Sequence, residues 1–320
     1  MANRRKSLIS FITALVLGFL LALGWVNRWY IHDSIRLYGY QAPAEIAELA
    51  SDTTMNSDSR RLFYVYSPSI EDKDEFNEHC KLSEFTIVLG CYVGGRGIYI
   101  YNVTDERLDG IKQVTAAHEM LHVAYERLGG SEKDRIDGLL QEALTSVANP
   151  RIQTTIEEYR KNGADISNEL HSIIGTEVRT LTPELETYYS RYFENRSEVV
   201  RLSEQYEQAF TELKNRIAEA DKTLEALRSQ IDSLESEVEA MSKELQSRLA
   251  ALNSASSAAE YNAAVPGYNR LVNVYNSKVR QLRKLIERYN ALVAERNAIA
   301  IEENNLHKAI DSRPDTIETQ

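Results

Sequence analysis

The sequence predicts an α+β architecture in three parts: an N-terminal transmembrane helix, a small domain of antiparallel strands and helices, and a long α-helical coiled-coil hairpin. Three observations predict it. A 20-residue run without charge, Ser7 to Val26, follows a basic start. Short segments rich in β-branched and aromatic residues then give way to helical patterns. From about Glu198, apolar residues fall into a sustained heptad.

The chain opens "MANRRKSLISFITALVLGFLLALGWVNRW". Twenty helical residues span about 30 Å, the thickness of a bilayer core. That length exceeds a secretory h-region and no clean A-x-A site is present after it, so residues 1–27 are expected to form a signal anchor, with a cleaved signal peptide as the alternative. Arg4, Arg5 and Lys6 ahead of the span predict a cytoplasmic N-terminus, which puts the rest of the chain outside. Trp25 and Trp29 suit the outer interface. Residues 28–57 are mixed and polar and read as a juxtamembrane linker.

The next domain is expected over residues 58–197. "RLFYVYSP", "EFTIVLGCYV" and "GIYIYNV" have strand composition, and "GGRG" between the last two predicts a tight hairpin. "TDERLDGIKQVTAAHEMLHVAYERLGG" reads as a helix with acidic residues near its start and a Gly129-Gly130 stop. A second helix comes next, "SEKDRIDGLLQEALTSV", with Ser131 as N-cap. Further helices are expected through "IQTTIEEYRKN", "DISNELHSIIGTEVRTL" and "PELETYYSRYF". Cys80 and Cys91 are the chain's two cysteines; spacing leaves open whether they form a disulfide or are two small buried residues.

Over residues 198–310, Phe210, Ile217, Leu224, Ile231, Val238, Leu245 and Leu252 recur every seventh position, interleaved with Tyr206, Leu213, Ala220, Leu227, Leu234 and Met241. This spacing predicts a coiled coil. After the small-residue stretch "NSASSAAEYNAAVPG", a second series runs through Val265, Val272, Val279, Ile286 and Val293, with Tyr268, Tyr275, Leu282 and Tyr289 between. Two such arms predict an antiparallel hairpin, with a rod or parallel dimer as alternatives, and offer a surface for a protein partner or self-association. The Tyr-Asn repeat is expected to pack the hairpin seam. Residues 311–320 read as a flexible tail. The net charge of −11 leaves no concentrated basic patch, which excludes nucleic acid as the main partner.

"AAHEMLHVAY" carries the chemistry. Residues four apart share a helix face, so His118 and His122 can both reach one metal ion. Glu119, next to the first histidine, can accept a proton from a water whose pKa that metal lowers. The HExxH motif, preceded by the expected edge strand "GIYIYNV", resembles the zincin metallopeptidases over roughly residues 60–195. The resemblance implies a zincin-like catalytic domain, a Zn2+ cofactor, a peptide or protein substrate held on the edge strand by β-augmentation, and Glu119 as general base.

It also implies a third protein ligand. Tyr125 and Leu128 stand where the metzincin pattern has Gly and His, so the gluzincin form is expected, with a glutamate from a later helix. The Asn168-Glu169 pair favours Glu169; Glu177, Glu142 and His171 are the alternatives. A tyrosine of "ETYYSRYF" is a candidate to stabilise an oxyanion. The sequence-level expectation is therefore a membrane-anchored zinc metallopeptidase, against a rival: a non-enzymatic coiled-coil envelope scaffold whose metal site is structural or decayed.

Overall fold

The computed structural model describes residues 2–80, 87–161 and 163–314, with side chains from residue 13 onward. The described residues are mostly helical, with one small sheet and two long C-terminal helices. They divide into two units, Met1–Glu207 with Ala309–Gln320, and Gln208–Lys308.

The first unit begins with α1 (Ala2–Val26), α2 (Arg28–Arg36) and α3 (Ala44–Asp52). Among the described residues no single helix is long and apolar enough to cross a membrane; Thr13–Val26 and Arg28–Arg36 meet that test only as a pair, bent by 64°. The expected linker over residues 28–57 is instead folded. Ile46, Leu49 and Ala50 of α3 enter the core at helical spacing, and Met55 is fully buried. So few apolar residues among polar neighbours disguised the helix.

The strand expected at "RLFYVYSP" is also corrected. Its first half belongs to α4 (Ser57–Tyr64). Asn56 accepts from the backbone N–H of Asp58 and Ser59 at 3.1 and 3.0 Å, and this capped start outweighs the β-propensity of the residues after it.

The sheet comprises β1 (Ser69–Glu71), β2 (Gly90–Val93) and β3 (Gly97–Tyr101), in the order β1-β3-β2. β2 runs antiparallel to β3, but β1 runs parallel to it, so the sheet is not purely antiparallel. The strand "GIYIYNV", expected at an edge, is therefore central, and β2 is the edge strand packed beside the metal-motif helix. Of "EFTIVLGCYV", residues 84–86 lie outside the described residues and strand pairing begins at Gly90. Gly95 takes a positive φ in the predicted hairpin turn, and Arg96 N–H donates to Val93 O at 2.9 Å. A disulfide between Cys80 and Cys91 joins the end of α5 (Lys73–His79) to β2.

α6 (Ile111–Glu126) starts later than the sequence pattern implied, because Gly110, at φ 98, breaks the chain direction just before it. Val114, Ala117, Met120, Leu121, Val123 and Ala124 bury several faces of α6, which makes it the central helix of the unit. Each valine, leucine or methionine among them contributes about 1.5–3 kcal/mol on burial. α7 (Gly130–Leu144) is capped by Gly129 rather than Ser131, since Gly129 is already extended and its carbonyl accepts from Lys133 N–H at 2.8 Å. α8 (Pro150–Lys161), α9 (Ile166–Glu177) and α10 (Pro183–Tyr189) complete the unit's shorter helices. α9 lies against α6 at Gly175, where an added Cβ would stand 2.6 Å from Leu121 Cδ1 and 2.7 Å from Tyr189 Cε1.

α11 (Arg196–Asn253) and α12 (Ala258–Ile310) form the second unit over most of their length. They run antiparallel: Lys278 pairs with Glu237, Arg296 Nε with Asp221 Oδ1 at 2.9 Å, and the Phe210 and His307 rings stand 5.1 Å apart. Leu213, Ala220, Leu227 and Ile231 of the heptad are buried, and Tyr268, Tyr275 and Tyr289 are half-buried along α12. The helical break is shorter than expected. It spans only residues 254–257, and "EYNAAVPG" is already helical, with Pro266 inside α12. Of the expected tail, Ser312 is buried: its carbonyl accepts from Asn77 Nδ2 at 2.8 Å and its hydroxyl donates to Val88 O at 2.6 Å. Residues 315–320 lie outside the described residues.

Candidate metal centre

One turn of α6 presents His118 and His122 on the same side, with ring centroids 4.7 Å apart. Ligand atoms of His118, Glu119 and His122 all lie within 4.8 Å of one another, a group able to hold a metal ion. The first turn of α9 faces this group. Asp165 caps that helix by accepting from Asn168 N–H at 3.3 Å, which fixes the turn carrying Asn168 and Glu169. Asn168 Oδ1 lies 2.9 Å from His122 Nδ1. Glu169 Oε2 lies 3.6 Å from His118 Nε2 and 3.8 Å from His122 Nε2. Both separations exceed a hydrogen bond. Two donors each about 2.0–2.1 Å from a tetrahedral zinc stand about 3.3 Å apart, so each of the two Glu169 separations lies within about half an ångström of what a shared ion needs.

The four candidates for a third ligand separate clearly in space. Glu169 converges on the histidines. Glu177 forms an ion pair with Arg151. Glu142 is exposed on α7. His171 is buried, with its Nε2 2.8 Å from Tyr188 Oη. The tyrosines of "ETYYSRYF", among them the sequence candidate for an oxyanion, are engaged around His171: Tyr188 with its ring, Tyr189 donating to its carbonyl at 2.7 Å, and Tyr192 with the Tyr188 hydroxyl at 3.3 Å.

Glu119 and the two histidines occupy a low-dielectric setting. Burial pushes the Glu119 carboxyl up to about 7, against the nearby His118 and the Tyr92 amide. Burial, then the charge of His118, pushes His122 down to about 4. Burial opposes a charge on His118 as well, but the carboxylates of Glu169, Glu119 and Glu177 outweigh it and raise its pKa. Burial would raise Glu169; His118 and His122 more than offset it and hold its pKa low.

Two contributors escaped the sequence reading. Asn168 orients His122, and the only signal for it was its place beside Glu169. The backbone of β2 borders Glu119: a Cβ on Gly90 would stand 2.9 Å from Glu119 Oε1 and 2.5 Å from Thr115 Cγ2. Only a glycine fits there, and a lone Gly-Cys pair gave no hint of it. Comparison with family models, curated proteins and solved structures returned no match, so the functional reading rests on this geometry.

Proposed function

We propose that the chain is a membrane-anchored zinc metallopeptidase of gluzincin type, acting on peptide or protein substrates outside the cytoplasm. One observation carries the reading. Glu169 Oε2 is buried, has no hydrogen-bond partner, and faces the Nε2 atoms of both motif histidines. A buried carboxylate oxygen left unbonded is costly unless a cation completes it. His118, His122 and Glu169 would hold the ion, a donor set suited to catalytic zinc. Zinc held there supplies Lewis acidity to a water and to the scissile carbonyl. Glu119 takes the proton of the attacking water and returns it to the leaving amine. The edge strand β2, whose backbone borders Glu119, offers an extended substrate a chain to pair with.

In this reading the membrane span is the uncharged run of α1 that extends back to Ser7 in the sequence, longer than the stretch from Thr13 whose side chains are described. Arg4, Arg5 and Lys6 ahead of it support a cytoplasmic N-terminus. The Cys80–Cys91 disulfide supports an oxidising compartment for the chain beyond the span. α2 lies outside the span, because its Asp33 is buried against Arg127 of the folded unit.

Metal analysis and hydrolysis of an unstructured protein, on the purified full chain, test the proposal. The wild type should carry one zinc and turn over. Glu119→Gln should keep zinc and lose about a hundredfold or more in rate. His118→Ala, His122→Ala and Glu169→Ala should lose zinc. Stoichiometric zinc without turnover would favour the scaffold instead, and a wild type without zinc would end the metallopeptidase reading.

A further inference from the structure

α2 is amphipathic in the reverse of the usual sense: its polar face is buried against protein, while its apolar face stays largely exposed, touched at Tyr30 by Arg61. Toward the folded unit it presents Asp33, which is 4% exposed and takes two bonds from Arg127, Nη1 to Oδ2 and Nη2 to Oδ1, each at 2.8 Å. Arg36 on the same face donates to the carbonyls of Gly95 and Arg96 at 2.9 and 3.1 Å. Away from the unit it presents Tyr30, Ile31, Ile35 and, just past its end, Tyr38, at 67, 46, 71 and 92% exposed. These four line one shallow groove with Ser34. A short helix that buries its aspartate and leaves isoleucines outside is poorly suited to water on that side.

Continuity identifies what covers it. The exposed apolar surface of α1, through Leu20, Leu21, Trp25 and Val26, leads directly into α2, and the chain turns by 64° between them. Such a turn at the end of an apolar helix lays the next helix along the interface instead of across the bilayer. The composition fits that depth. Tyr30 and Tyr38 join Trp25 as amphipathic aromatic residues of the kind enriched at headgroup level. Arg28 stacks over Trp25 at 4.9 Å, and Arg61 over Tyr30 at 5.1 Å, so guanidinium groups flank the apolar face where lipid phosphates lie.

We infer that the Tyr30–Ile31–Ile35–Tyr38 face of α2 rests on the bilayer surface beside the α1 anchor, so that the first unit is held to the membrane by a lipid contact as well as by its tether. The inference rests on α1 being the span. It also links the membrane to the metal helix, because Arg127, which grips Asp33, directly follows α6.

Depth-dependent quenching on the full chain in phosphatidylcholine–phosphatidylglycerol vesicles tests it. Both native cysteines are in the disulfide, so one introduced cysteine is a unique labelling site. An environment-sensitive fluorophore at Ile35→Cys, or at Ile31→Cys on the same face, should lose about half its emission to a nitroxide placed just below the headgroups, and less to one near the bilayer centre. A label at the exposed Ser229→Cys should be unaffected. If the α2 labels behave like Ser229 while a label at Leu17→Cys is quenched, the anchor stands and the lipid contact is refuted. If Leu17→Cys is also unquenched, the anchor fails and the inference falls with it. If the α2 labels are shielded but unquenched, and Ile35→Cys chains cross-link to each other, a second copy covers the face and the lipid contact is again refuted.

Discussion

Asn168 shows how a single amide can set the state of an imidazole in a candidate metal centre. His122 is held neutral by burial, and its Nδ1 lies 2.9 Å from Asn168 Oδ1. The acceptor draws the ring proton to Nδ1 and leaves the Nε2 lone pair turned to His118 and Glu169. Asn168→Ala should therefore weaken zinc binding by roughly 10–100-fold, read by competition with a chelator, with Asn168→Asp retaining most of the affinity. Equal affinity in the alanine variant would show that the amide does not orient the ring. The motif residues were legible in the sequence because an i, i+4 pair is local geometry. The third candidate ligand was only partly legible: the Asn168-Glu169 pair favours Glu169, but 46 residues separate His122 from Asn168 and only packing separates it from Glu142, His171 and Glu177.

At the level of elements, the Asp33–Arg127 pair is the buried anchor of α2 on the first unit, beside the bonds made by Arg36 and Arg61. Removing one partner of a buried pair leaves the other uncompensated, at about 3–5 kcal/mol. Asp33→Ala should lower the melting temperature accordingly. The pair also gives a pH signature. Burial would raise the Asp33 carboxyl, but bonds from Arg127 and His32 and the charge of Arg61 bring its pKa below the ordinary 3.8. A depressed folded pKa means that the stabilisation is whole above 3.8 and fades as pH falls below it. Unfolding midpoints taken between pH 5 and pH 2 should drop less steeply for Asp33→Asn than for the wild type, as the missing carboxylate has nothing to lose. Parallel slopes would remove Asp33 from the acid response. Elements with a long apolar period, such as α6 and α9, could be read directly. β1 could not, being three residues long, and α4 was hidden because its capping residue lies outside the aromatic run that drew attention.

For the molecule as a whole, the second unit was the most legible part, because a heptad repeated over two arms is redundant evidence for one geometry. Its lower boundary was not: the first turns of α11 bury Val199 and Val200 in the first unit, so the repeat and the division of the chain do not begin together. Leu227, 2% exposed, tests the seam. Leu227→Asp should cost about 2–5 kcal/mol for the lost leucine, with the unpaired carboxylate adding to it. Thermal unfolding followed by helical circular dichroism should show that loss, and an unchanged curve would refute the seam. The disulfide has a reach beyond stability. Cys91 sits between Gly90, which leaves room for Glu119, and Tyr92, whose amide faces it. Oxidation thus ties the strand that borders Glu119 to the end of α5. Under the proposed export, a chain still on the reducing side of its membrane would carry β2 untied, so that crossing the membrane and completing the border of Glu119 would become one event.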